Sequence, residues 1–283
     1  MRWFTILLIS LLSLGSAAQE QSLCFEISHQ ELDVETSYLF GTMHVMEESR
    51  FFFPKKITKL LGKTDALCLE IKNISEVRIA PEMLFDTTLN LKAYCDSEEW
   101  LNLTIWAEEK LFMKPLLFQE NFKHARPFML FQFILAMNLP ANKKSHEQEL
   151  EKIAVSNKSE LLGLESANEQ LNIFNRIPFD DQMKMVFSEL NNAEKNIQDF
   201  NDMQEAYRNQ DLNVLCDFAT DETLAGNKAL FLDNRNKKWI PKMKEMMTEK
   251  STFFAVGAGH LCGENGLISL LKKEGFKLKV IKL

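Results

Sequence analysis

The sequence predicts an α/β fold with some α+β character, in which segments from both ends of the chain form one mixed sheet capped by a long helical insertion. Short apolar runs typical of strands occur near each end, and a helical pattern lies between them. The middle of the chain carries apolar residues at spacings of three and four, which indicates helices. Neither end has enough strands to cover both faces of a sheet, so we expect the two ends to share one.

The N-terminal part begins with strand-like runs at residues 23–27 and 37–41, and the polar stretch between them is typical of a hairpin turn. Pro54 opens an amphipathic stretch that Gly62 ends, which is the pattern of a helix. Residues 66–71 are almost entirely apolar, as expected of a strand covered on both faces. The β-α-β order predicts that this strand pairs in parallel with residues 37–41.

The remainder of the chain alternates long helical blocks with short strands. Residues 74–155 have a helical pattern, interrupted near Pro115, Pro127 and Pro140. A buried-strand candidate follows at residues 160–164, and a second helical block covers residues 179–247, with breaks near residues 178, 226 and 241. The chain closes with a strand at 252–256, a Gly-rich turn, a helix at about 266–273 and a strand at 276–281.

The N-terminal residues have the pattern of a secretory signal. Arg2 precedes an apolar run at residues 3–14, and small residues follow at 16–18. A membrane anchor needs about 20 apolar residues, and this run is shorter. We therefore predict cleavage after Ala18 and a single mature domain, residues 19–283, that is periplasmic or secreted and has no transmembrane segment.

Composition excludes some classes of function. The chain has 33 basic and 40 acidic residues, a formal charge of −7, which argues against an electrostatic nucleic-acid binder. Twenty-two Phe and 13 Met indicate a large apolar core. The five cysteines include no Cys-x-x-Cys pair, so neither a redox motif nor a Cys-based zinc site is supported. Export permits at most two disulfides, and their pairing stays open.

Two turns of the form Gly-x-x-His follow predicted strands, at residues 41–44 and 257–260. Because ligands bind outside the carboxyl ends of parallel strands, we expect His44 and His260 to meet at one rim of the sheet. Glu70 and Glu165 stand at the ends of two other predicted strands. Four titratable groups therefore converge on one edge.

Two imidazoles with one or two carboxylates are donors that suit a divalent metal ion. His44, His260 and Glu70 are the predicted ligands, with zinc, manganese or cobalt as the ion and a bound water as its nucleophile. Glu70 acts in this hypothesis as a ligand or as a general base. The other histidines lie in polar surroundings and are expected to be solvated: His29, His124 and His146.

A series of motifs, in this order along the chain, resembles the TraB/PrgY/GumN family. They are YLFGTMH at 38–44, LCLE at 67–70, LGLES at 162–166, Gln182, DNRN at 233–236 followed by Trp239, and AVGAGHL at 255–261. This family is related to the Tiki proteins, which are membrane-associated metal-dependent proteases, and more distantly to erythromycin-esterase-like and ChaN-like proteins. The resemblance implies a hydrolase site with His44, Glu70 and His260 at its core.

The resemblance also implies the residues that line the site: Glu165, Arg235, Asn236 and Gln182. Arginine offers a planar fork for a substrate carboxylate or for orienting Glu70, and asparagine can donate to a developing oxyanion. Glu147 is not counted as a site residue, because the segment Ser145-His146-Glu147 departs from the family pattern.

These observations predict an exported metal-dependent hydrolase, most simply a peptidase that acts on peptides or proteins. Two alternatives stay open. One is a binding protein without turnover that holds a peptide or a haem-like ligand under the helical cap. The other is a metal-free, esterase-like hydrolase in which His44 and Glu70 are the acid and the base.

Overall fold

The computed structural model describes residues 22–72, 84–220 and 226–283. The predicted leader at residues 1–18 and the start of the first predicted helical block lie outside these ranges. The strands in chain order are β1 (Cys24–His29), β2 (Ser37–Thr42), β3 (Met46–Glu47), β4 (Ala66–Ile71), β5 (Lys143–Lys144), β6 (Glu160–Glu165), β7 (Thr252–Gly257) and β8 (Phe276–Ile281).

Six of these strands form one mixed sheet in the order β6-β4-β7-β2-β1-β8. β1 pairs antiparallel with β2 and with β8, so the predicted hairpin and the predicted sharing of one sheet by both ends are confirmed. β2 and β4 run parallel, as predicted, but they do not pair directly, because β7 lies between them and pairs in parallel with each. Every residue of β7 is buried, and such an apolar strand is stable only in the interior of the sheet.

The helices in chain order are α1 (Lys55–Leu61), α2 (Ser97–Leu111), α3 (Pro115–Phe122), α4 (Pro127–Asn138), α5 (His146–Asn157), α6 (Ala167–Leu171), α7 (Phe179–Asn191), α8 (Ala193–Arg208), α9 (Leu212–Asp217), α10 (Asn234–Glu249) and α11 (Leu267–Lys273). Pro115 and Pro127 occupy first helical positions, where the missing N–H has no intrahelical partner to lose. The predicted break at Pro241 is wrong. Pro241 lies inside α10, on its exposed face, where water can satisfy the carbonyl that loses its bond.

The apolar interior has three parts. One face of the sheet packs against α1, α5 and α8, and the opposite face packs against α10 and α11. A third cluster joins helices α2, α3, α4 and α7, so the helical cap has an apolar core of its own. The cap therefore does not depend on the sheet alone for burial of its side chains.

Two further connections lie next to the rim of the sheet. The short strands β3 and β5 pair antiparallel, which joins the segment after His44 to the segment before α5. A disulfide joins Cys216, in α9, to Cys262, just beyond the second Gly-x-x-His turn. Among the described residues no helix is long and apolar enough to cross a membrane.

Candidate active site

The carboxyl ends of four neighbouring strands bring the predicted residues together. His44 follows β2, His260 lies in a short 3-10 helix (Ala258–Leu261) after β7, Glu70 is near the end of β4 and Glu165 ends β6. The Nε2 atoms of His44 and His260 each lie 3.7 Å from the same carboxylate oxygen, Oε1 of Glu70. The two Gly-x-x-His turns therefore meet over one glutamate.

The two turns pack so closely that the first position of each must be glycine. A Cβ atom at Gly41 would lie 2.7 Å from Cδ1 of Leu261 and 3.2 Å from Cα of Ala258, both in the other turn. A Cβ atom at Gly257 would lie 2.9 Å from Nε2 of His44. Since real Cβ atoms do not approach so closely, glycine lets the two turns pack together and admits an imidazole between them.

Glu70 is a buried carboxylate with a full set of donors. Its Oε1 accepts a hydrogen bond from the backbone N–H of Gly257 at 2.8 Å, and its Oε2 accepts from Arg235 Nη2 at 2.5 Å and Gln170 Nε2 at 3.3 Å. Burial raises the pKa of this carboxyl, but the two imidazoles, the guanidinium and the backbone donor outweigh burial and lower the pKa to about 2. Glu70 is therefore an anion at neutral pH.

Arg235, at the start of α10, is the cation that compensates the buried carboxylates. Its Nη2 contacts both Glu70 and Glu165 at 2.5 Å, and its Nε donates to Glu165. Its Nη1 donates to the carbonyl of Phe231 at 2.8 Å and lies 2.9 Å from Nε2 of His260. Its donors are thus engaged inside the protein, which matches the predicted role of orienting Glu70 better than that of binding a substrate carboxylate.

His260 is buried and its two ring nitrogens have defined partners. Nδ1 lies 2.6 Å from Oδ1 of Asn236, an acceptor, so Nδ1 carries the proton and Nε2 accepts from Arg235. Burial lowers the pKa of His260 to about 3, so the ring is neutral. Nδ2 of Asn236 donates to the carbonyls of His260 and Asn265, which leaves no amide hydrogen for the predicted oxyanion role.

His44 has a different setting. Its side chain is 59% exposed, and its Nδ1 lies 2.8 Å from Oε1 of Glu147. The negative charge of Glu147 is the main cause that raises the pKa of His44 to about 9. The ring borders a cavity of about 410 Å³ that Glu70, Glu147 and Gln170 also line.

The sequence pattern does not indicate Glu147 as a site residue, but the structure places its carboxylate beside His44. The residue is buried in the first turn of α5, where its carboxylate accepts from His44 Nδ1, from Thr42 Oγ1 at 2.5 Å and from Ser145 Oγ at 2.6 Å. Burial raises the pKa of Glu147, but His44 and these hydrogen bonds outweigh it, so the pKa lies well below its usual range. Ser145 is a helix N-cap, so the sequence does indicate that a helix begins here. Only the docking of α5 against the rim brings Glu147 to His44.

The expectation that His146 is solvated is also wrong. Its side chain is buried, and its ring nitrogens lie 2.9 Å from the backbone carbonyls of Met43 and Phe52. The rings of Phe51 and Tyr207 lie within 5 Å of the imidazole, at 4.7 and 4.8 Å. His146 therefore holds the backbone just before His44, and burial lowers its own pKa.

The remaining predicted residues lie apart from the cluster or at its margin. Gln182 is buried in α7 and donates to the carbonyls of Phe174 and Ile177 at 2.9 Å, so it holds the segment after α6 and has no hydrogen bond to the cluster among the described residues. His29 and His124 are half-buried rather than fully solvated. Their ring nitrogens bond to neighbouring backbone groups.

Two donor atoms of the predicted metal site are already bonded to Arg235. Within the described ranges, no group of three or more His, Cys, Asp or Glu side chains is placed to hold a metal ion. The donor types are suitable, but Arg235 occupies the lone pair of His260 Nε2 and the Oε2 atom of Glu70. A metal ion would need the guanidinium to withdraw.

This fold and rim define an α/β protein in which two Gly-x-x-His turns share one buried glutamate. The chain belongs to the TraB/PrgY/gumN family, whose family model matches residues 23–280. A comparison with curated proteins gave no match. A comparison with solved structures also gave none. Membership confirms the resemblance that the motifs indicated.

Proposed function

We propose that the protein is a hydrolase that cleaves peptide bonds at the cavity lined by His44 and Glu70. The observation that supports this most is the pair His44–Glu147 placed opposite Glu70: a carboxylate fixes one nitrogen of an exposed imidazole, and the other nitrogen faces a second carboxylate 3.7 Å away. An imidazole oriented in this way is a proton-transfer group.

His44 is the general acid of the proposed reaction. With a pKa of about 9 it carries protons on both ring nitrogens at neutral pH. Its Nδ1–H stays with Glu147, and its Nε2–H can be given to the leaving nitrogen of the substrate. Its exposure leaves room for a peptide to reach it.

Glu70 positions the attacking water. A carboxylate with a pKa of about 2 is a weak base, so its role is to accept a hydrogen bond from the water and orient it toward the substrate carbonyl. The water oxygen adds to the carbonyl carbon, and the carbon–nitrogen bond breaks as His44 protonates the nitrogen. One proton of the water then restores His44, and the other leaves with the carboxylic acid product. Arg235 and the Gly257 N–H keep Glu70 in place.

A divalent metal ion at His44, Glu70 and His260 stays a prediction. Two imidazole nitrogens and a carboxylate oxygen are donors that zinc, manganese and cobalt accept, but one of these nitrogens is bonded to Arg235. The proposed reaction therefore uses only the protein's own groups and water, and metal is a variable in its test.

The test uses the purified mature chain and an unbiased peptide pool, with cleavage followed by mass spectrometry. Glu70→Gln keeps the shape of the side chain and should reduce hydrolysis by roughly 10²-fold or more. Glu160→Gln is the matched control, since Glu160 begins β6 at the opposite end of the sheet and is an exposed partner of Lys250. It should cleave at the wild-type rate.

Each arm is repeated with a chelator and with added manganese, cobalt or zinc. Cleavage that survives the chelator and is lost in Glu70→Gln supports the metal-free form of the proposal. Loss on chelation with recovery on metal addition supports the metal-dependent form. Absence of turnover in every arm, with peptide binding retained, would contradict the hydrolase and favour a binding protein.

A further inference from the structure

Helix α4 has two apolar faces, of which one is buried and the other is only partly covered. Leu130 and Ile134 are buried in the core of the helical cap. Phe128, Phe133 and Ala136 line a cavity of about 530 Å³ on another side of the helix, and 38% of Phe133 is exposed. A helix that is apolar on several sides is normally buried all round, so this second face indicates that something apolar covers it in use.

The opposite wall of the cavity is also apolar and aromatic. It includes Phe174 and Ile173, from the segment after α6, and Phe231, from the turn before α10. The rings of Phe128 and Phe174 stack with centroids 3.5 Å apart, and Phe231 lies 5.3 Å from Phe174. Rings in this arrangement form a wall that suits an aliphatic or aromatic group and offers no charge to a polar one.

The cavity ends at the candidate active site. Gln170 and Arg235 line it, and both contact Oε2 of Glu70, at 3.3 and 2.5 Å. Gln170 also lines the cavity that contains His44. Gln170 is therefore common to the apolar cavity and to the cavity with the proton-transfer groups, and the donors of Arg235 are already engaged by the protein.

We propose that this cavity is the subsite that receives a large apolar side chain of the peptide substrate, next to the bond that is cut. The proposal rests on the proposed hydrolase function for its reaction and on the cavity for its specificity. The volume lies within the range of about 300–1,000 Å³ typical of ligand sites and accommodates leucine, methionine or phenylalanine. Small side chains would leave most of it empty and gain little.

The test fills the cavity from α4. In Ala136→Trp a large ring replaces a methyl group on the cavity face, and Gln132→Trp is a second variant at another exposed cavity position. Met137→Trp is the matched control, because Met137 is the exposed next residue of the same helix and does not line the cavity. Two versions of a cleaved peptide, with Phe or Ala beside the scissile bond, are compared.

We expect kcat/KM for the Phe peptide to fall about tenfold or more in either cavity variant, while the Ala peptide changes less than about twofold, since filling a pocket affects only a side chain that enters it. The control should leave both rates unchanged. Equal losses for both peptides, or no loss for either, would overturn the subsite while leaving the hydrolase intact.

Two further arms separate the subsite from the reaction. Binding of N-acetyl-phenylalanine methylamide, followed by NMR, should be stronger than that of the alanine analogue and should be lost in Ala136→Trp even if no peptide is cleaved. Hydrolysis of p-nitrophenyl hexanoate and acetate tests an acyl chain as the occupant. A cavity-dependent preference confined to these esters would overturn the assignment to a peptide side chain.

Discussion

The two Gly-x-x-His turns share a motif and a place at the rim, yet their histidines differ in charge. Strands β2 and β7 pair in parallel, with Gly41 opposite Val256, so the two turns are neighbours. His44 is mostly exposed and carries a pKa of about 9, whereas His260 is buried and carries a pKa of about 3. The motif therefore determines the position of each imidazole, and the hydrogen-bond partners of the ring determine its charge.

The partners of Nδ1 explain most of this difference. In the first turn Nδ1 contacts a carboxylate, Glu147, which favours the charged ring. In the second turn Nδ1 contacts the neutral amide of Asn236, while burial and the guanidinium of Arg235 disfavour a positive charge. One imidazole is thus prepared to give a proton, and the other serves as a neutral acceptor that holds Arg235.

Removal of the charge of Arg235 should cause the largest loss of stability, because this residue contacts the second histidine and both glutamates. Arg235→Gln leaves Glu70 and Glu165 buried without their cation, so we expect a loss of about 3–5 kcal/mol in the free energy of unfolding. The pKa of His260 should rise as well. Arg208→Gln is the control, since Arg208 is an exposed partner of Glu205 and its loss should cost under about 1 kcal/mol. Urea unfolding measures the free energy of unfolding of both variants. Equal losses in the two would contradict the compensating role of Arg235.

Removal of the disulfide should cause the next largest loss of stability. The bond lies next to the second turn, and the first turn has no counterpart of it among the described residues. Cys216 and Cys262 are 46 residues apart, and replacing both with serine should cost about 2–4 kcal/mol of stability. Cys95→Ser, at a free and half-buried thiol, is the control. Thermal unfolding with and without reductant measures the difference. A wild-type protein that is insensitive to reductant would show that the bond contributes nothing.

The first glycines of the two turns should respond differently to alanine. Gly41→Ala meets Leu261 and the backbone of Ala258, so repacking should cost about 1–3 kcal/mol. Gly257→Ala meets the exposed ring of His44, which can move, so it should cost less stability but remove hydrolysis by displacing the acid. Parallel unfolding and cleavage assays test this. Full activity in Gly257→Ala would show that His44 is not required where it stands.

The most direct test of the comparison is Glu147→Gln, because its main effect is on the charge state of His44. The amide keeps the shape but not the charge, so the pKa of His44 should fall from about 9 toward its ordinary value, as followed by NMR in chelator-treated protein. The high-pH limb of hydrolysis, where the acid loses its proton, should move to lower pH with it. An unshifted His44 titration would mean that Glu147 is not its main partner.

The same pair sets a pH dependence of stability in the wild-type protein. The raised pKa of His44 adds stability that is complete below about pH 6.5 and is lost as pH rises through about 9. The lowered pKa of Glu147 adds stability that is present above about pH 4.3 and is lost as pH falls. Glu147→Gln should flatten both limbs in urea unfolding measured against pH.

Much of the fold follows from local patterns in the sequence. The strands β4 and β8 match the predicted ranges, because continuous or alternating apolar residues between turn signals are local features. The position of β7 between β2 and β4 does not follow, since no local pattern records which strands are neighbours. The β3–β5 pair has no signal in the sequence either, because two-residue strands have no periodicity.

The candidate site also contains residues that the sequence predicts and residues that it does not. His44, Glu70 and His260 end strands, and the topology of parallel strands delivers them to one rim. Glu147 and His146 come from α5, and their polar sequence reads as a solvated helix start. Only tertiary docking places His146 between two backbone carbonyls and Glu147 beside Thr42, so no local signal distinguishes them from surface residues.

The strand order has a consequence for how the chain is synthesised. β7 lies inside the sheet, and β8 lies at one edge next to β1, yet both follow the other strands of the sheet along the chain. Until these residues leave the ribosome, β2 and β4 have no common neighbour, and the nascent chain exposes apolar strands with open edges. The sheet and its rim of histidines therefore form only after β7 has left the ribosome, so a truncation before β7 should remove the rim as well as the last two strands.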